Sequence, residues 1–261
     1  MKHEVFYILL FHKISTFQQE LQNDFYAIHR DYLIKIINFV DKILGLKSII
    51  TISEALKNPT KFAISFSFDD GFESDYTIVA PLFLERNIKG TFFITTGFLG
   101  KNNYLKVSQV KKMYKMGIEI GSHSKTHPIL TSLNKHKLKE ELLDSKKYLE
   151  DIIGDEVEGF SIPGGFYNQR VLEMAFEAGY KYVCTSEPIK NLVSLPPSNK
   201  SLVLGRICIH QQLGLKKLEK ILEGDKKILS LMKFQYHFKN ILKKFLGIEK
   251  YIRLRKTLYG N

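Results

Sequence analysis

With 261 residues, 44% of them hydrophobic, the chain is long enough to bury the core of one α/β domain. It has no run of about 20 apolar residues that could span a membrane, and no repeat, low-complexity tract or Pro/Gly-rich linker to divide it. A formal net charge of +12 admits nucleic acid, an anionic membrane or an acidic substrate as partner; no nucleic-acid motif accompanies the charge, so no nucleic acid is expected.

Along the chain, apolar runs alternate with helical periods in a strand–helix rhythm. Residues 5–11 predict a strand. The start, residues 1–12, lacks a small-residue cleavage site and reads as a buried first strand rather than a signal peptide. Residues 31–44 predict a helix with Leu33, Ile36, Ile37 and Val40 on one face. Further strands are expected at 62–68, 90–95, 117–121, 158–162, 180–185 and 202–209. Helices are expected at 75–86, 108–116, 134–153, where Asn134 can cap the first turn, and 168–178, closed by Gly179. This order predicts a parallel barrel or an open sheet.

The C-terminal stretch differs in character. From residue 233 to 261 the basic residues are Lys233, Lys239, Lys243, Lys244, Lys250, Arg253, Arg255 and Lys256, against Glu249 alone. Phe234, Phe238, Ile241, Phe245 and Ile252 recur near helical spacing. Two readings follow: a helix packed on the domain with a solvated basic face, or an interfacial helix at an anionic membrane. Cys184 and Cys208 both lie in apolar segments, which suits reduced, buried thiols and a cytoplasmic setting; a disulfide between them stays open.

Polar residues gather where strands end. Asp69 and Asp70 close one strand, His123 and His127 follow another, Pro163-Gly164-Gly165 follows a third and His210 ends a fourth. In α/β barrels that face carries the catalytic residues. Each piece alone has a plain reading, as Asp-Asp-Gly makes turns and histidine pairs are common in cores and on surfaces. Together they offer one carboxylate and two imidazoles for a divalent ion, and a spare carboxylate to activate water, as a metal hydrolase requires. The strand before the histidines and Pro128 after them place both on a loop, with proline biasing His127 toward an extended conformation.

Phe68-Asp-Asp-Gly71, Gly90-Thr-Phe-Phe-Ile94 and His123-Ser-Lys-Thr-His127, with Leu9-Leu-Phe-His12 as an opening strand, give the chain its resemblance to the polysaccharide deacetylase family, carbohydrate esterase family four. The resemblance spans roughly residues 8–210. It implies a distorted (β/α) barrel of about seven strands, with a catalytic domain at 1–212 and a basic helical extension at 213–261. It also implies Asp70, His123 and His127 as metal ligands and Asp69 as general base, neighbours separated by the alternation of side chains at a strand end.

The family's Arg-x-Pro-x-Gly motif reads Ser161-Ile-Pro163-Gly-Gly165 here, so its arginine is missing, and Arg206 is expected to replace it. Gly164 keeps the backbone N–H that would serve an oxyanion. The general acid falls to His210, in a loose match to the family's Leu-x-His, with His12 competing. Zinc is the default ion; cobalt, nickel, iron or manganese also suit two histidines and a carboxylate.

The activity implied is removal of an N-acetyl or N-formyl group from an amino sugar, in a glycan or a lipid-linked precursor. The absence of an export signal, with the basic C-terminus, points to the cytoplasm or the inner membrane face, with residues 233–261 at the anionic surface. Segments 17–26 and 187–200 are expected at the substrate rim. A non-haem iron oxygenase would use the same ligand types in another local order, and a serine hydrolase would need a Gly-x-Ser-x-Gly elbow. A decayed sugar-binding protein of the same fold is the alternative that the missing arginine favours and the intact Asp69, Asp70, His123 and His127 oppose.

Overall fold

The computed structural model describes residues 3–58, 62–194 and 202–246. The elements in chain order are β1 (His3–Phe11), β2 (Ile14–Ser15), α1 (Gln18–Asn23), β3 (Ile28–His29), α2 (Arg30–Leu44), α3 (Ile52–Lys57) and β4 (Phe62–Phe68). A π turn (Asp75–Val79) then runs into α4 (Ala80–Glu85), followed by β5 (Thr91–Ile94), α5 (Val107–Lys115), β6 (Glu119–Ser122), α6 (Lys135–Ile153) and β7 (Gly159–Ser161). The remainder is α7 (Gln169–Glu177), β8 (Tyr182–Cys184), β9 (Asn191–Ser194), β10 (Leu202–Leu204), β11 (Ile207–Cys208), α8 (Leu215–Leu222) and α9 (Lys226–Leu246).

The main sheet runs β10-β8-β7-β6-β5-β4-β1-β11, all parallel. β10 pairs with β8 at one edge, and β11 pairs with β1 at the other. Only Gly205 and Arg206 separate these two, so one bent segment closes the sheet into a distorted barrel with seven staves. The single strand expected over 202–209 is therefore broken in the middle. The cause is local: Asn191 of β9 donates from Nδ2 to the Gly205 carbonyl and accepts the Gly205 N–H, while the Arg206 N–H donates to the Glu187 carbonyl. Backbone groups spent on these partners cannot continue a ladder.

β9 is a further correction. Residues 187–200 are expected at the substrate rim, yet 191–194 run antiparallel to the start of β1, from Phe6↔Asn191 to His3↔Ser194, away from the face where Asp69 lies. Residues 195–200 of that segment lie outside the described ones. The expected helix at 75–86 is split for another reason. Pro81 lacks an N–H, and the turn before it widens to a π turn in which the Ala80 N–H reaches the Asp75 carbonyl.

Alternation along the strands sorts the core into two packed clusters. Tyr7, Leu9, Phe11, Ile64, Phe66 and Phe68 face the surrounding helices. Phe6, Ile8, Ala63, Phe93, Tyr182 and Cys184 face the interior, which Ile52 and Ala55 of α3 cover at the end opposite the site. Thr51 starts α3 with a capping box to Glu54. Residues 213–222, assigned to an extension from the sequence, put Leu213, Leu218, Ile221 and Leu222 into the larger cluster. No disulfide joins Cys184 to Cys208.

Candidate active site

Period-two alternation in β4 carries Ala63, Ser65, Ser67 and then Asp69 toward the barrel interior. Asp69 is buried, its N–H bonded to the Phe11 carbonyl of the neighbouring strand. Both of its oxygens meet Arg206, at 2.7 Å from Nη1 to Oδ1 and 2.8 Å from Nη2 to Oδ2. Ser161, standing where the sequence motif lacks its arginine, donates to Asp69 Oδ2 at 2.9 Å and accepts from Arg206 Nη2 at 2.7 Å. Arg206 is wholly buried, with Nε donating to the Thr185 carbonyl and its guanidinium over the Phe93 ring. The bend between β10 and β11 thus delivers a charge into the barrel interior.

Asp70 leaves the strand phase with φ +79°, a left-handed turn that lifts its carboxylate to the rim. The separation of the two aspartates rests on this turn as well as on strand alternation. Asp70 Oδ1 lies 3.4 Å from Nε2 of both His123 and His127. Ligand atoms of the three residues all lie within 4.8 Å of one another. Asp69 Oδ2 stands 3.8 Å from His123 Nε2, so the spare carboxylate borders the same space.

The two histidines sit on a loop after β6, but His127 has φ +59° and is left-handed rather than extended. Loop contacts override the proline bias. The His127 N–H donates to Ser124 Oγ, and Glu141 of α6 accepts the N–H groups of Lys125 and Thr126, both at 2.8 Å, and the Thr126 hydroxyl. Gly97 donates to the Lys125 carbonyl, and a Cβ there would lie 2.6 Å from that oxygen. Glu141, which the motifs missed, holds the loop that carries the histidines. Its signal was a carboxylate on the buried stripe of α6, between Leu138 and Leu142.

His123 Nδ1 lies 2.8 Å from the Ser161 carbonyl, which orients the ring with Nε2 toward Asp70. Burial holds the His123 pKa down at about 3, with His127 and Arg206 adding to the effect and Asp69 opposing it. Burial also lowers His127. Both rings are therefore held uncharged, as ligands must be. Burial would raise Asp69, but the Arg206 guanidinium and His123 reverse this and hold it well below the usual carboxylate range. Asp70 goes the other way, pushed up to about 6 by burial and by Asp69 and Asp24, against His12. A carboxylate so disfavoured as an anion, facing two neutral imidazoles, fits a divalent cation.

Strand register sets the order of the remaining histidines. Phe11 pairs with Phe68, so His12 follows beside Asp69; Leu10 pairs with Cys208, so His210 stands one strand further out. His12 lowers the pKa of both Asp69 and Asp70. Segment 17–26 folds over this pair, with Tyr26 against His12 at 4.8 Å and Phe25 stacked on His210 at 4.6 Å. On the other flank Phe72, Tyr104 and Phe98 form an aromatic row that reaches His127. Gly164 (φ +62°) lies in the turn directly after β7, the strand that supplies Ser161. Asp75 joins Asp69 and Asp70 in the electrostatics of the site. It is fully buried on the π turn, and burial, with Asp70 and Asp69 nearby, pushes its pKa well up.

Residues 56–183 match the family model described as polysaccharide deacetylase. Over these residues, just under half of its length, the chain is similar to the polysaccharide deacetylase family. Within that family, a peptidoglycan-N-acetylglucosamine deacetylase of Bacillus cereus is 36% identical over 124 residues, 47% of this chain and 56% of that protein. A poly-beta-1,6-N-acetyl-D-glucosamine N-deacetylase of Staphylococcus aureus is 28% identical over 182 residues, 64% of this chain and 61% of that protein. The chain spans about half the length of the curated relatives it matches. The solved deacetylase PplD of Streptococcus pyogenes, in complex with acetate, superposes with a TM-score of 0.72 at 24% identity, over 85% of this chain and 99% of that one. The barrel expected from the sequence is the fold they share.

Proposed function

We propose that the chain is a metal-dependent N-deacetylase acting on an amino sugar of a glycan. The observation that carries this reading is the meeting of two devices on one barrel face. One is the set Asp70, His123 and His127; the other is Asp69, buried, ionised and 3.8 Å from one of those histidines. The relatives named for N-acetylglucosamine substrates support the substrate class. Asp70, His123 and His127 would hold the ion, zinc by preference for two imidazoles and a carboxylate, with cobalt, nickel, iron or manganese as substitutes. Once bound, the ion would polarise the acyl carbonyl and acidify water.

The chain's own groups do the rest. Arg206 and Ser161 fix the Asp69 carboxylate in one orientation and keep it ionised, ready to take a proton from the attacking water. The aromatic flanks, Phe25 and Tyr26 on one side and Phe72, Phe98 and Tyr104 on the other, give apolar faces against which a sugar ring can stack. The Gly164 N–H serves the developing oxyanion, a contact that can account for about 3 kcal/mol of barrier lowering. We assign protonation of the leaving amine to His12, the histidine beside Asp69, ahead of His210 one strand further out. Basic helix α9 supports a lipid-linked sugar at an anionic membrane as the form in which substrate arrives.

The test is acetate release from N-acetylglucosamine oligomers by metal-stripped protein reloaded with zinc, run beside Asp69→Asn. Zinc-dependent release that disappears in Asp69→Asn is the expected result. Zinc binding with sugar affinity but no release of acetate or formate would overturn it in favour of a sugar-binding relic. His12→Ala and His210→Ala, compared at equal zinc content, separate the two acid candidates; the larger fall in kcat is expected for His12.

A further inference from the structure

Helix α9 is apolar on two opposite faces. Ile228, Leu229 and Met232 pack on the core, and Lys233 and His237 reach the Glu187 carboxylate at 3.2 and 3.4 Å. On the far side Leu231, Phe234, Phe238 and Ile241 recur every three or four residues and form one stripe. They are 53%, 68%, 52% and 52% exposed, and the rings of Phe234 and Phe238 stack on each other. A stripe of four large apolar side chains left to solvent marks an interaction surface.

Charge says what covers it. The sequence of α9 holds six lysines, Lys226, Lys227, Lys233, Lys239, Lys243 and Lys244, and no aspartate or glutamate. Residues 247–261 add Lys250, Arg253, Arg255 and Lys256 against Glu249. A second copy of the chain would bring the same lysines face to face, and like charges across an interface disfavour it. An anionic lipid surface complements both the stripe and the charge. We propose that α9 docks in the plane of an anionic bilayer through Leu231, Phe234, Phe238 and Ile241.

The docking is coupled to the site. Glu187, which the far ends of Lys233 and His237 grip, follows β8 on the catalytic face, and its carbonyl accepts the Arg206 N–H. A helix lying on the membrane would hold that face about one helix diameter, roughly 10 Å, from the lipid. The surface itself is independent of the reaction; that a lipid-carried sugar is what it serves rests on the deacetylase reading.

The experiment is co-sedimentation of the full chain with vesicles of phosphatidylcholine alone and of an equimolar phosphatidylcholine–phosphatidylglycerol mixture, for wild type and for Phe234→Glu/Phe238→Glu. Wild type is expected to partition onto the anionic vesicles and not the zwitterionic ones, with partition falling at least roughly tenfold in the variant. No binding, or binding unchanged by the substitutions, overturns the proposal. So does a concentration-dependent dimer in sedimentation velocity that the substitutions abolish without any vesicle binding. Acetate release from a soluble N-acetylglucosamine oligomer, measured on the same preparations, is expected to be equal in both proteins. Its absence alongside intact vesicle binding would sink the hydrolase reading and leave the docking surface standing.

Discussion

The two ends of the barrel each hold a network of buried or half-buried carboxylates, and they differ in what is left over. At the end away from the site, Glu119 accepts the Tyr182 and Ser53 hydroxyls on one oxygen and the Thr91 hydroxyl and Ser53 N–H on the other. Glu158 beside it meets Lys57, Lys181 and Ser53. A cleft of about 420 Å³ opens there, lined among others by Thr51, Ser53, Glu119 and Glu158. Its acids are held by donors, with the single Ser53 hydroxyl proton shared between Glu119 and Glu158. At the catalytic end Asp69 is matched in the same manner, but Asp70, His123 and His127 converge, with one ligand atom from each within 4.8 Å of the others. The convergence of ligand atoms, absent from the Glu119–Glu158 network, marks the site.

If that contrast is right, substitutions at the two ends separate activity from stability. The largest effect is expected for Asp69→Asn, which should lower kcat by a factor on the order of 10² to 10⁴ at unchanged zinc content, measured by acetate release. Arg206→Met follows. It leaves a buried carboxylate without its counter-charge and should cost about 3–5 kcal/mol in urea unfolding. Its pH profile carries a sign. With Arg206 present Asp69 is ionised well below its ordinary value. With Arg206 gone burial dominates, the pKa rises, and the acid limb of kcat/KM moves to higher pH. A limb that stays in place would mean that Arg206 is only packing.

Glu119→Gln supplies the opposite pattern, a loss of about 1–3 kcal/mol of stability from mismatched buried donors with kcat unaltered. A drop in kcat at equal folded fraction would break the contrast. The smallest effect belongs to Glu158. Lys181, Lys57 and Ser53 outweigh its burial and lower its pKa from 4.5 to about 2. Its contribution is present above pH 4.5 and is lost as the pH falls toward 2, so stability curves of wild type and Glu158→Gln should converge across that window. Parallel curves there would show the pairs to be surface ornaments of no energetic weight.

What the sequence discloses is what is local. The alternation in 62–68 and the turn after it reveal both the strand and Asp69, because period two and Asp-Asp-Gly need no distant partner. Asn134 and Gly179 mark helix ends for the same reason. The bend at Gly205–Arg206 is invisible locally, since it depends on Asn191 reaching across from β9. The left-handed His127 depends likewise on Ser124 and Glu141, not on the proline that follows it. Arg206 was legible by a different route: a buried aspartate needs a counter-charge, and the motif that should provide one holds a serine. That serine turned out to be part of the answer, wedged between the two.

The position of Arg206 in the closing segment has a consequence for biosynthesis. The strands and loop that carry Asp70, His123 and His127 are all made before residue 130, yet Arg206, which pairs with Asp69, is among the last parts of the barrel to leave the ribosome. It is locked in only when β11 finds β1, from the opposite end of the chain. A nascent or truncated chain ending before residue 202 would carry Asp69, Asp70, His123 and His127 and lack the counter-charge of Arg206.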